Sequence, residues 1–185
     1  MARFPGSLMA GMQQLAAEGD TIGVVLIDEQ SDDGGGSHPE TDAQRKLLLF
    51  ASRMNYPVWI VELDRSRGTR PRQPTLKTLR ALLPPEVVRQ DRIITKTGWN
   101  AFAGTDLQDL LQAKNVTAFA VAGYAADCCV RQTAVGGYPG SKKTEAAFQR
   151  GATQLGYLVL SCTQILRGPP ATWQNERNVR FYDFL

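Results

Sequence analysis

The sequence predicts an α/β protein, a three-layer α/β/α arrangement around a central, mostly parallel sheet of six strands, in one domain over residues 1–185. Three observations carry that reading. Six short runs are apolar throughout rather than alternating, the pattern of strands covered on both faces. Segments with helical spacing separate them, as parallel connections require. No repeat, low-complexity tract or Pro/Ser-rich linker divides the chain.

The elements follow in order. Residues 7–18 place Leu8, Met12, Leu15 and Ala16 on one helical face, with Ser7 as N-cap and Gly19 as a stop. IGVVLID (22–28) is the first strand, and it delivers Asp28 to its C-terminal end. After the loop EQSDDGGGSHP comes a helix over about 41–54, then PVWIVEL (57–63) as a second strand with Trp59 in the core. Residues 75–83 read as a short helix stopped by Pro84 and Pro85, and RIITK (92–96) as a third strand ending in Lys96. Thr105 caps DLQDLLQAK, and VTAFAVAG (116–123) is the fourth strand. The stretch VGGYPGSKK (135–143) resists helix formation and reads as a surface loop before a helix over 144–155. YLVLSC (157–162) and NVRFYDF (178–184) are the fifth and sixth strands.

Composition narrows the function classes. With 43% hydrophobic and 21% charged residues, the chain reads as a soluble globular protein whose core needs no staple, and its apolar runs fall well short of the ~20 residues that span a bilayer. No membrane partner is expected. A net charge of +3 is too mild to call for a polyanion, so no nucleic-acid partner is expected either. The N-terminal segment carries no secretory pattern, and three cysteines, two of them adjacent, make no disulfide framework. A reducing, cytoplasmic setting is the expectation.

In an open parallel sheet, ligands bind beyond the carboxyl ends of the strands, where the winding direction switches. Asp28, Lys96 and the segment after Gly123 all fall at that end. A thiol attacks a carbonyl only as thiolate, so Cys129 needs a base to take its proton or a cation to lower its pKa. Asp28 is placed to be the base, and Lys96 to hold the carboxylate and the developing charge. Each has a plainer use: a strand-end Asp caps a helix, a Lys lines a rim, and a free Cys packs as a small hydrophobe. Trp99 and Phe102, just after Lys96, are candidate pocket walls.

Three motifs bring in a family. GYAADCCVRQTA (123–134) resembles the nucleophile motif of the isochorismatase-like cysteine hydrolases, which include nicotinamidases and N-carbamoylsarcosine amidases. IITKTGWNAFAGTDLQDLL (93–111) resembles that family's lysine motif, and VVLIDEQSD (24–32) its first-strand Asp-x-Gln-x-Asp motif, in family order. The resemblance implies the family's Rossmann-like fold, with Asp28 as general base, Lys96 as electrostatic partner and Cys129 as nucleophile. It also implies a cis peptide at Tyr124–Ala125, an oxyanion site at the backbone N–H groups of Ala125 and Cys129, and Gln30 and Ala126 beside the substrate. Its chemistry is hydrolysis of a C–N bond in a small amide-like substrate through a thioester, by a homo-oligomer with Trp173 and the tail packed between subunits. Two alternatives remain: hydrolysis of an isochorismate-type vinyl ether, and a non-catalytic binding protein on the same fold.

Departures from the family pattern shape the expectation further. Nicotinamidases hold a metal with an Asp and two His after the second strand, whereas this chain has a single histidine, His38, and ELDRSRGTRPRQP at that exit. No metal and no cofactor are expected. A Cys–His dyad through His38 is the lesser reading beside plain surface. Ala126 stands where the family often has Thr, Gly34–Gly36 where it usually has an aromatic, and Arg65, Arg67, Arg70 and Arg72 form a basic loop, read as solvated charge.

Overall fold

The computed structural model describes residues 4–30, 38–64, 75, 79, 81, 93–137 and 149–185. In chain order the elements are β1 (Phe4–Ser7), α1 (Leu8–Ala17), β2 (Ile22–Ile27), α2 (Pro39–Arg53), β3 (Val58–Leu63), β4 (Ile93–Lys96), α3 (Leu107–Ala113), β5 (Ala118–Tyr124), α4 (Cys129–Val135), β6 (Leu158–Cys162), β7 (Leu166–Arg167) and β8 (Val179–Phe184). Helices flank a central sheet whose strand-to-strand ladders all run parallel. The sheet has eight strands rather than the six expected. The extra two are β1, where FPGS carries both Pro and Gly, and β7, only two residues long. Neither is long enough to show a hydrophobic period.

The spatial order is β1-β8-β6-β5-β2-β3-β4, with β7 also pairing with β5. From β2 the chain winds outward through β3 to β4, then returns to the other side of β2 and winds outward again from β5. The direction reverses between β2 and β5, whose ladder runs from Ile22↔Ala118 to Ile27↔Gly123. Both strands are buried along nearly their whole length, so continuous apolar sequence was the right signal for them. The carboxyl ends of these two strands form the crevice where such sheets take ligands.

Local sequence sets the element ends. Ser7 caps α1 by accepting the Ala10 N–H at 3.1 Å, and the helix buries Leu8, Met12 and Leu15. His38 takes the N-cap position of α2, which starts at Pro39, two residues earlier than expected, because Pro suits the first helical turn. The N-cap of α3 falls to Asp106 rather than Thr105, although the Thr105 hydroxyl still accepts the Leu107 N–H at 3.3 Å and donates to the Ala101 carbonyl. The expected helix over 144–155 is replaced, in its described part, by a single 3-10 turn at Ala152–Leu155, bounded by Gly151 and a left-handed Gly156. Residues 138–148, most of the expected helix over 75–83, the Gly34–Gly36 loop and Arg65–Arg72 lie outside the described residues.

Gly123 ties β5 to β2 at the switch point. Its φ is +131°, and a Cβ there would run into the Ile27 carbonyl. Gly123→Ala is expected to cost more than about 3 kcal/mol, combining left-handed strain with a backbone collision. Thermal denaturation checks this, and an unchanged melting temperature would show that the two strands are not in register there.

Candidate active site

Asp28 follows the last residue of β2. Its N–H donates to the Val61 carbonyl at 2.9 Å, and its φ of +52° turns the backbone off the strand, a conformation costing a non-glycine residue roughly 1–3 kcal/mol. The side chain is 2% exposed. Lys96 ends β4 opposite Leu63 and is equally buried, so both charges are out of water. Their contact is direct: Nζ donates to Asp28 Oδ2 at 2.7 Å and to the Gly98 carbonyl at 2.9 Å. The other carboxylate oxygen, Oδ1, is buried and, among the described residues, meets no donor in hydrogen-bond geometry.

Cys129 opens α4, after a loop in which the Tyr124–Ala125 peptide is cis. The loop is tied at both ends. Ala125 accepts the N–H groups of Cys128 at 3.0 Å and Val130 at 3.2 Å, while Ala126 donates its N–H to the Arg167 carbonyl at 2.9 Å. Thr133, one turn along α4, donates to the Cys129 carbonyl and accepts the Ala101 N–H, both at 2.9 Å, which joins α4 to the segment after Lys96. Among the described residues, no hydrogen bond engages the backbone N–H of Ala125 or Cys129.

The three groups feel one another. Burial pushes the Asp28 carboxyl well above the usual carboxylate range, Lys96 pulls it down, and the nearby Cys129 thiol raises it further. Cys129 is held protonated at rest by its hydrogen bond with Cys128 and by burial, against the opposing pull of Lys96 and Asp28. The same bond lowers half-buried Cys128 to about 7. The bond thus biases Cys128 toward the thiolate and Cys129 toward the thiol. Raising the carboxyl toward the thiol narrows the gap in basicity that a proton passing from Cys129 to Asp28 must cross.

Asp28, Lys96 and Cys129 therefore come together. The other sequence candidates scatter around them. Gln30 spends both ends of its amide on Leu63, donating to the carbonyl at 3.1 Å and accepting the N–H at 2.8 Å, which extends the sheet edge. Trp99 is 50% exposed. Phe102 stacks on Tyr157 with centroids 6.1 Å apart and lines a shallow depression of about 190 Å³ with Asn100, Gln149 and Arg150. Tyr124 and Ala125 flank the cis bond, and Ala126 is buried beneath it. Trp173, expected between subunits, is instead buried within the chain, because its indole N–H reaches the Ala126 carbonyl at 2.7 Å and its ring meets Phe181 edge-on. A larger cavity, about 230 Å³, lies between Ala126, Leu166 and the segment Gly168–Ala171, and none of the three reactive groups lines it. We place the candidate site at the cluster, where titratable groups perturb one another, rather than at this cavity.

Sequence reasoning missed Glu29 and Arg167. Both are mostly buried and paired across 138 residues, and Arg167 adjoins the Tyr124–Ala126 loop. The one available signal was a second acidic residue directly after Asp28 at a strand end.

One histidine in the whole sequence cannot supply the Asp and two His of a nicotinamidase-type metal site. The sole histidine sits at the N-cap of α2, the exit of β3 supplies none, and among the described residues no three His, Cys, Asp or Glu side chains cluster for a metal.

A mostly parallel α/β sheet with flanking helices is the fold of the isochorismatase-like hydrolases. The isochorismatase-domain model matches residues 26–139, and the chain belongs to that family. Solved structures agree on the fold. A nicotinamidase from Staphylococcus aureus is 14% identical at a TM-score of 0.68, covering 89% of this chain and 99% of its own. N-carbamoylsarcosine amidase from Thermoplasma acidophilum is 18% identical at 0.64, covering 88% and 95%. An isochorismatase from Pseudomonas putida is 16% identical at 0.61, covering 98% and 91%. No curated protein matches by sequence. Among the described residues, no helix is long and apolar enough to cross a membrane.

Proposed function

We propose that this protein hydrolyses a C–N bond in a small amide-like substrate through a Cys129 thioester, without a metal. The observation that carries the proposal is the buried contact of Asp28 with Lys96, with Cys129 close enough to perturb the carboxylate. Asp28 takes the thiol proton as Cys129 Sγ attacks the carbonyl carbon. The oxyanion forms where the uncommitted N–H groups of Ala125 and Cys129 can donate to it. Asp28 returns the proton to the leaving nitrogen, which departs as ammonia or amine and leaves the acyl group on sulfur. A water deprotonated by Asp28 then cleaves the thioester and restores the thiol. Lys96 fixes the carboxylate through its 2.7 Å contact. The site needs no second acid or base, because one proton shuttles between sulfur, Asp28 and nitrogen.

The test is ammonia release from a panel of small primary amides and carbamoyl compounds, nicotinamide and N-carbamoylsarcosine among them, with acid quenching and peptide mapping of any acyl mass. An adduct on Cys129 is expected. The base must be ionised to act, so activity rises with pH through the Asp28 titration, and its acid limb lies above the ordinary carboxylate range near 4. An adduct on Cys128, or no turnover across the panel, would sink the proposal.

A further inference from the structure

Two adjacent carboxylates end β2, and they pair with opposite halves of the sheet. Asp28 meets Lys96 of β4, whereas Glu29, 1% exposed, meets Arg167 of β7, whose Nε stands 3.2 Å from Oε2 and 3.4 Å from Oε1. Gln44 of α2 donates to the same Oε1 at 2.8 Å and steadies the carboxylate from a third element. Arg167 in turn holds the nucleophile loop in two ways. Its guanidinium lies over the Tyr124 ring, 4.3 Å from the centroid, and its carbonyl accepts the Ala126 N–H at 2.9 Å. The register agrees, with Tyr124 opposite Arg167 in the β5–β7 ladder. The next residue, Gly168, has a φ of +105° and runs so close that a Cβ there would stand 3.4 Å from both the Ala125 Cβ and Tyr124 Cε2. Ala125 then passes the restraint to Cys128 and Val130 through its carbonyl.

We infer that Arg167 is a positioning residue that, anchored by Glu29, fixes the Tyr124–Ala126 loop and so holds Cys129 at its distance from Asp28. The inference rests on the thiol reading proposed above. The chemistry favours arginine here: a planar guanidinium can stack on an aromatic face while its edge binds a carboxylate, which a lysine ammonium cannot do. Desolvation offsets much of the Coulomb attraction in a buried pair, so the pair adds little net stability and acts through geometry. Because Glu29 is covalently next to the base, the restraint is referred to Asp28 itself. Displacing a reacting group by about 1 Å is enough to lose much of its rate.

The experiment uses a Cys128→Ala background, which leaves Cys129 and the fully buried Cys162 as the only thiols. Iodoacetamide alkylation of Cys129 and the melting temperature are measured across pH for Glu29→Gln, Arg167→Gln, Arg167→Lys and the double Glu29→Gln/Arg167→Gln variant. Arg167→Gln is expected to slow alkylation at neutral pH by about tenfold and to move its midpoint upward, with Arg167→Lys intermediate. The double variant removes both charges, so it regains melting temperature relative to the singles while its alkylation stays slow. Unchanged rates, or rates that recover in step with melting temperature, would overturn the inference and leave the pair a structural one. If Cys129 in the background protein reacts no faster than Cys162, the thiol reading itself falls and takes this inference with it.

Discussion

Cys129→Ala is expected to lower ammonia release from a responsive amide by on the order of 10⁴-fold or more, with stability changed by about 1 kcal/mol or less. The asymmetry follows from the site. A thiol that forms the covalent intermediate has no substitute, and what survives its removal is binding and oxyanion stabilisation. The packing change is small, because a buried thiol and a methyl group occupy nearly the same space. Steady-state kinetics and thermal melting on the same preparation check both halves. If the variant kept turning over amides, no thioester could lie on the path. If it instead turned over isochorismate, the site would be a vinyl-ether hydrolase that uses Asp28 and Lys96 without the sulfur.

Lys96→Met should be the most damaging single change to the fold near the site. It keeps the length of the side chain but leaves the Asp28 carboxylate, 2% exposed, without its cation, and losing one partner of a buried pair typically costs about 3–5 kcal/mol. The loss depends on pH in a definite sense. Lys96 is the strongest influence lowering the Asp28 pKa, so its removal raises further a folded-state value already above the unfolded one. A group raised on folding contributes its stability fully below the unfolded pKa and loses it as pH rises through the folded pKa. The deficit of Lys96→Met is therefore smallest in acid and grows toward neutral and alkaline pH. Asp28→Asn on top of it should restore much of the stability and none of the activity. Urea denaturation at acidic and alkaline pH decides, and a deficit independent of pH would mean that the carboxylate was never relying on the lysine.

What the sequence made legible was whatever a single strand end announces. Asp28 closes a buried apolar run, Lys96 ends a short edge strand, and Cys129 follows a second buried run, so their convergence needed only the rule that parallel strands point their carboxyl ends the same way. Side-chain direction was not legible. Phe102 lies only six residues beyond Lys96, yet it turns to Tyr157, because nothing local reveals which wall an aromatic will meet. Gln30, placed beside the substrate by the family resemblance, also ties its amide to the β3 backbone at Leu63, a partner that no local pattern announces. The Glu29–Arg167 pair was the least accessible, since it depends on a two-residue strand whose register exists only once β5 is in place. Trp173 was placed between subunits because the resembled family oligomerises, and here a single backbone carbonyl at Ala126 drew it into the chain's own core.

The all-parallel ladders also govern how the protein is reached from its unfolded state. A parallel pair forms only after the chain has left the sheet and returned, and β1 finds its partner at Tyr182 and Phe184, across almost all of the described sequence. Ring closures of that span precede the contacts that reward them, which makes acquisition of the native state slow. During that interval all three thiols stand open to oxidants, Cys162 among them, which the finished fold buries completely. Recovery of competent enzyme from denaturant is then a race between closure and oxidation, governed by the concentration of reductant as much as by the native free energy.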